Sequence, residues 1–228
     1  MTARSTCVLT SAVVTATRDE DAPSWPIVAL VASAGGVDAL SRVLSALPAV
    51  VPASIVVLLH VTPERESALP VILGRISAFG VEAARDGEEL AAGRVIVAPA
   101  GHHLLITSEL HVALIESGAY PPSRPSADLL LTTLAIAAGA RVIAVVLSGT
   151  GHDGATGATA VHRFGGRVIA TDAASSQSFA MPSATIERDS AIDHVVDLNA
   201  VPALLMQLIV DPDTTPPRGN RPARARHR

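Results

Sequence analysis

Ile27-Val28-Ala29-Leu30-Val31-Ala32-Ser33-Ala34-Gly35-Gly36-Val37-Asp38-Ala39-Leu40 is an apolar run that stops at a serine and two glycines before a helical pattern begins. A continuous run rich in β-branched residues reads as a strand buried on both faces of a parallel sheet, and the glycines permit a tight turn out of it. The helix that follows aims its first N–H groups and the positive end of its dipole at the Ser33 region. Ser33 is therefore open to three readings: a nucleophile, part of a phosphate-binding turn, or a cap on the helix.

Outward from that stretch the chain alternates strand and helix. After a strand over 27–32 and a helix over 37–47, residues 53–59 form a second buried apolar run closing on His60, the spacing of a β-α-β unit. A helix over 68–79 and strands over 81–84 and 94–98 follow, and 103–107 with 111–115 flank Ser108-Glu109 as an antiparallel hairpin on the sheet. Residues 120–125 read as a loop, and Ser126 has the chemistry of an N-cap for a helix over 127–138. Gly139 and Arg141 divide the long apolar stretch 129–147 into that helix and a strand over 141–147, rather than a membrane span. The strand empties into Ser148-Gly149-Thr150-Gly151-His152-Asp153-Gly154, followed by a helix over 155–163, a strand over 167–170, a short helix ending near 188, a strand over 194–198 and a helix over 200–209. The fold class expected is α/β: a three-layer, doubly wound, mostly parallel sheet with an antiparallel hairpin, Rossmann-like. Residues 1–24 read as a flexible tail, 25–210 as the one folded domain, and 211–228 as a disordered Arg/Pro-rich tail.

Composition removes several functions. The chain has 49% hydrophobic residues but only 2% aromatic ones, so the platforms on which single-stranded nucleic acid stacks are nearly absent, and no nucleic-acid partner is expected. It contains no lysine, which excludes a Walker-type phosphate loop and a lysine Schiff base. Five of the 17 arginines lie after residue 217, leaving 12 positive against 21 negative charges before it. One cysteine, Cys7, permits no internal disulfide and suits a reducing, cytoplasmic setting. No membrane insertion is expected.

Three polar residues stand at the carboxyl ends of predicted buried strands: Ser33, His60 and Asp153. In open parallel sheets that edge is where ligands bind, so residues far apart in sequence converge there. A serine needs a base to become a useful nucleophile, an imidazole supplies one near neutral pH, and a carboxylate orients the imidazole. The structural alternatives are a Ser33 helix cap, a His60 bonded to a turn carbonyl and an Asp153 helix cap. His102 and His103 are adjacent on a strand and point to opposite faces, and no metal-ligand spacing exists, so no metal and no cofactor is expected. Gly149, Gly151 and Gly154 are compatible with a phosphate cradle, but lack the dinucleotide-binding glycine pattern and a lysine. His111, His162 and His194 fall in strand or helix-end patterns and read as structural or exposed.

The set formed by Val31-Ala32-Ser33-Ala34-Gly35-Gly36, His60, Ala98-Pro99-Ala100-Gly101-His102-His103, Ser123-Arg124-Pro125-Ser126-Ala127-Asp128, Leu147–Ala155 and Ser175-Ser176 to Met181-Pro182 resembles the catalytic domain of CheB-type protein-glutamate methylesterases, from about residue 27 to 209. The resemblance implies a serine hydrolase that demethylates glutamate γ-methyl esters, and sometimes deamidates glutamines, on chemoreceptor signalling proteins. It implies Ser33 as nucleophile, His60 as base and Asp153 as orienting acid, with Ala34, Gly35 and Thr150 positioning the oxyanion. Ala34 stands where the family often has threonine, Thr150 where it often has methionine, and Val61-Thr62-Pro63 departs from a common His-Met-Pro pattern after the base. A backbone N–H survives a side-chain change, so Thr150 keeps its donor. Only 26 residues precede the first strand, too few for the phospho-receiver domain such enzymes often carry, so regulation is expected either from a separate protein or not at all. The alternatives are a weakly active or inactive signalling module that binds receptor helices, and a small-molecule esterase or amidase.

Overall fold

The computed structural model describes residues 24–63, 67–118 and 123–211. Its strands are β1 (Ile27–Ala32), β2 (Ser54–Leu59), β3 (Val81–Ala83), β4 (Val95–Val97), β5 (His102–Ile106), β6 (Val112–Glu116), β7 (Val142–Val146), β8 (Arg167–Thr171) and β9 (His194–Val196). Its α-helices are α1 (Gly36–Ala46), α2 (Leu69–Gly74), α3 (Ala127–Ala138), α4 (Ala155–Arg163), α5 (Ala180–Glu187) and α6 (Val201–Val210). Seven strands form one sheet in the order β3-β4-β2-β1-β7-β8-β9, every neighbouring pair parallel.

The apolar runs become central strands because each is covered on both faces. Along β1, Val28, Leu30 and Ala32 pack with Leu40, Val43 and Leu44 of α1 and with Leu205 of α6. Ile27, Ala29 and Val31 face the other way, against Leu130, Leu131 and Leu134 of α3 and Val161 of α4. The result is three layers, with β1 at the centre of the sheet and wholly buried. From β1 the chain winds to β2 on one side and later returns to β7 on the other. The carboxyl end of β1 is therefore the switch point of the sheet, where such folds open a crevice.

Two local outcomes, in the hairpin and in α2, differ from the sequence reading. The β5–β6 hairpin forms, but as a separate two-stranded sheet, with Leu104, Ile106 and Val112 packed toward α3. The Ile106 N–H spends itself on Thr133 Oγ1 of α3 at 3.1 Å. Helix α2 has six residues rather than running to Phe79: after Gly74 the chain leaves the helix, and Ser77 Oγ bonds the Phe79 carbonyl at 3.1 Å. The boundary inside 129–147 falls at Gly139, whose φ of 56° ends α3. Among the described residues no helix is long and apolar enough to cross a membrane. Cys7, Tyr120 and nearly all of both tails lie outside the described residues.

Helices α3 and α4 meet unusually closely. A Cβ placed on Gly157 of α4 would lie 2.5 Å from Leu131 Cβ and 3.0 Å from the Asp128 carbonyl of α3. Both neighbours are short and fixed, so a methyl group there forces the helices apart. Gly157→Ala is expected to cost about 1–3 kcal/mol and lower the thermal midpoint by several degrees. An unchanged midpoint in a calorimetric scan would refute this close approach.

Candidate active site

The register of the sheet brings the sequence-predicted residues together. Ala32 pairs with Leu59 across β1 and β2, so Ser33 and His60 are the next residues on adjacent strands, and the His60 N–H bonds the Ala32 carbonyl at 3.1 Å. On the other side of Ser33, its N–H bonds the Ser148 carbonyl at 2.9 Å, just beyond β7. Asp153 follows five residues later and reaches back toward β2, where His60 Nε2 and Asp153 Oδ2 stand 2.8 Å apart. The side chains of this pair are 15% and 8% exposed.

Asp153 is solvated by protein. Its carboxylate accepts from His60, from the N–H groups of Ala127 (2.7 Å) and Asp128 (3.0 Å), and from Ser126 Oγ (3.2 Å). Those partners are the N-cap and first turn of α3, and Ser126 Oγ itself accepts from the Leu129 N–H at 3.3 Å. Burial alone would push the Asp153 carboxyl up. The His60 hydrogen bond, the two N–H groups and the His60 charge together outweigh it and hold the pKa below the ordinary carboxylate value. Asp128 returns the contact, accepting from the N–H groups of Gly154 (2.9 Å) and Gly157 (2.8 Å) at the start of α4. Asp128, in the first turn of α3, thus caps α4, and Asp153, just before α4, caps α3.

A carboxylate only accepts, so His60 Nε2 carries the proton and Nδ1 is the ring nitrogen without one. The ring is turned end for end relative to the usual triad, in which Nδ1–H faces the acid. Among the described residues no hydrogen bond joins the Ser33 hydroxyl to His60, an open geometry that substrate-free sites often have. The N–H groups of Ala34, Gly35 and Thr150 donate to no protein group among the described residues, while that of Ser33 is spent on Ser148. Gly149 lies against Ser33, since a Cβ there would come within 3.0 Å of Ser33 Cβ and collide with Met181 Sδ. The exposed Thr150 follows it in the chain. A cavity of about 520 Å³ opens over this turn, lined by Ser33, Gly35, Gly36, Val37, Asp38, Ser41 and Gln177.

Ser126, Asp128, His103, Ser148 and Gln177 were not read as site residues from the sequence. The Ser126-Ala127-Asp128 cap signal located the first two without showing what they hold. His103 is buried and its Nδ1 accepts from the Ser126 N–H at 3.0 Å, tying the hairpin to the first turn of α3. Burial and the Arg124 charge lower its pKa, against the Asp153 charge and the Ser117 carbonyl, which raise it. His102 Nδ1 faces the Ala100 carbonyl instead (3.2 Å), and His111 Nδ1 faces that of Glu109 (3.1 Å). His162 stands 3.7 Å from Asp193, away from this site. Among the described residues no three His, Cys, Asp or Glu side chains converge as a metal site.

Comparison with known proteins places these residues in a context. The sequence profile of the family described as CheB methylesterase matches residues 28–205. The chain is 37% identical over 187 residues to the protein-glutamate methylesterase FrzG of Myxococcus xanthus, covering 82% of this chain and 56% of that protein. It is 36% identical over 228 residues to protein-glutamate methylesterase/protein-glutamine glutaminase 3 of Myxococcus xanthus strain DK1622, covering 96% and 62%. The chain thus spans little more than half the length of these curated relatives. The crystal structure of the Thermotoga maritima CheB methylesterase catalytic domain superposes with a TM-score of 0.77 at 34% identity, covering 82% of this chain and all of that one.

The hydrogen bonds of Asp153 fix the direction of its pH dependence. A carboxyl whose folded pKa lies below its unfolded value, near 3.8, contributes stability that is complete above that value and lost as pH falls through the folded pKa. Asp153→Asn is expected to lose about 1–3 kcal/mol at neutral pH, with the deficit shrinking as the wild-type protein is acidified below about pH 4. Urea titrations of both proteins across that range test this, and a deficit that grows on acidification contradicts it.

Proposed function

The chain belongs to the CheB methylesterase family, and from that premise we propose that it is a serine hydrolase acting on glutamate γ-methyl esters of a chemoreceptor or related sensory protein. The observation that carries the proposal is the 2.8 Å bond between His60 Nε2 and Asp153, made by the residue that follows the Ala32–Leu59 pair as Ser33 does on the neighbouring strand. It leaves Nδ1 unprotonated on the side of the imidazole away from the acid, as a base for the serine requires.

In this reading Ser33 Oγ attacks the ester carbonyl while His60 Nδ1 takes the hydroxyl proton. The carbonyl oxygen becomes an oxyanion, stabilised by backbone N–H groups of Ala34, Gly35 and Thr150. Asp153 stays ionised and stabilises the imidazolium. His60 then returns the proton to the departing oxygen, and methanol leaves a Ser33 acyl-enzyme. Water, deprotonated by His60, attacks the acyl carbon, and the glutamate carboxylate and free Ser33 are regenerated. A glutamine side chain would follow the same course with ammonia leaving, the glutaminase activity for which the Myxococcus xanthus strain DK1622 relative is named.

The catalytic unit is assigned to residues 25–210 and the setting to the cytoplasm. The single cysteine and the lysine-free composition suit an intracellular chain that uses neither a disulfide nor a lysine-borne cofactor.

Ser33→Ala is expected to lower methanol release from a methylated receptor peptide by at least about 10³-fold with the melting temperature unchanged. Retained turnover removes Ser33 from the mechanism. A folded wild-type protein whose Ser33 does not react with a fluorophosphonate would instead favour a binding module.

A further inference from the structure

The turn that follows β1 can hold its central peptide in either of two orientations. The Gly36 N–H reaches the Ser33 carbonyl at 2.8 Å and closes a four-residue turn on Ala34 and Gly35. Gly35 has φ 76° and ψ 1°, the third position of a type II turn, which favours glycine. Types I and II differ by a flip of the central peptide, here the one joining Ala34 to Gly35. In a planar trans peptide the carbonyl and the N–H point opposite ways. Whichever side the Ala34 carbonyl faces, the Gly35 N–H therefore faces the other.

Ser148 decides that side. It is 2% exposed, and its Oγ donates to the Ala34 carbonyl at 2.7 Å while accepting from the Ser178 N–H at 2.9 Å. Its own carbonyl takes the Ser33 N–H at 2.9 Å, so one residue grips both peptides flanking the start of the turn. With the Ala34 carbonyl turned inward to a buried hydroxyl, the Gly35 N–H turns outward, to the side where the cavity lined by Ser33, Gly35 and Gln177 opens. The space leaves little latitude: a Cβ on Gly35 would lie 2.8 Å from Ser148 Oγ and 2.6 Å from Gln177 Oε1.

We propose that Ser148 is a positioning residue of this site, whose buried hydroxyl holds the Ala34–Gly35 peptide so that the Gly35 N–H, and not the Ala34 carbonyl, faces the oxyanion formed on Ser33 attack. This rests on the esterase reading, because the oxyanion arises only when Ser33 adds to an acyl group. A flipped peptide sets an acceptor beside the growing negative charge and reverses a dipole of about 3.5 D next to it. Ground-state binding does not depend on that dipole to the same degree, so the effect falls on kcat rather than KM. Through Ser178 the same hydroxyl also fixes the segment that carries Gln177 over Gly35, which joins the nucleophile turn to the far wall of the cavity.

Ser148→Thr and Ser148→Val separate the hydroxyl from its shape, since the two side chains have nearly the same outline and only threonine can donate. The threonine variant is expected to keep kcat within about threefold of wild type, and the valine variant to lose about 10–100-fold in kcat with KM for the methyl ester changed less than twofold. A second readout needs no variant: in ¹⁵N-labelled wild-type protein phosphonylated on Ser33 by a fluorophosphonate, the Gly35 amide proton is expected to move downfield as it bonds the phosphonyl oxygen. Equal kcat in the two variants at matching melting temperatures, or an unmoved Gly35 amide, overturns the role of Ser148. A wild-type protein that neither releases methanol nor reacts with the fluorophosphonate overturns the esterase reading, and this proposal with it.

Discussion

A carboxylate that is both buried and charged must be solvated by protein, because the penalty for leaving it bare in the interior is several kcal/mol. Asp153 meets that requirement at the first turn of α3, where two N–H groups and the Ser126 hydroxyl supply the hydrogen bonds that water would. The positive end of the helix adds to them. Asp128 on the same turn caps α4, the helix that Asp153 immediately precedes. The two caps lock one helix to the other, and the close approach at Gly157 follows from that arrangement. Everything that orients His60 is inherited from this contact.

The imidazole orientation follows from the same geometry. The acid comes from beyond β7 and the base from the end of β2, with β1 and its serine between them in the sheet. Asp153 crosses over the end of β1 to meet Nε2, and in the proposed mechanism the nitrogen left for Ser33 is then Nδ1. The roles proposed for them match those of the familiar serine-histidine-aspartate arrangement, while the ring that would serve them is reversed. The part played by each residue is thus set by where its strand ends.

Much of this was legible in the sequence because the signals are local and physical. The β-branched runs at 27–32 and 142–146, each too apolar to have a wet face, identify central parallel strands, and their carboxyl ends identify Ser33 and the Asp153 loop. Ser126 was recognisable as an N-cap from its position before an apolar periodic segment. What the sequence did not disclose is pairing across long separations. Nothing local says that the cap of α3 also holds Asp153, 27 residues away, or that Ser148 reaches Ala34 across 114 residues. The detached hairpin was illegible for a similar reason: its alternating apolar residues suit a helix surface as well as a sheet edge, and only packing on α3 decides between them.

The reciprocal caps change how a knockout at the acid must be read. Among the described residues the Ser33 hydroxyl bonds no protein group, so removing it subtracts a chemical group and leaves the scaffold alone. Asp153 caps a helix as well as taking the orienting part in the proposed mechanism, so on that reading its removal subtracts chemistry and architecture in one stroke. The rate lost on substituting position 153 is accordingly an upper bound on what the carboxylate does for the reaction, and the difference from the Ser33 deletion cannot be apportioned between them by subtraction.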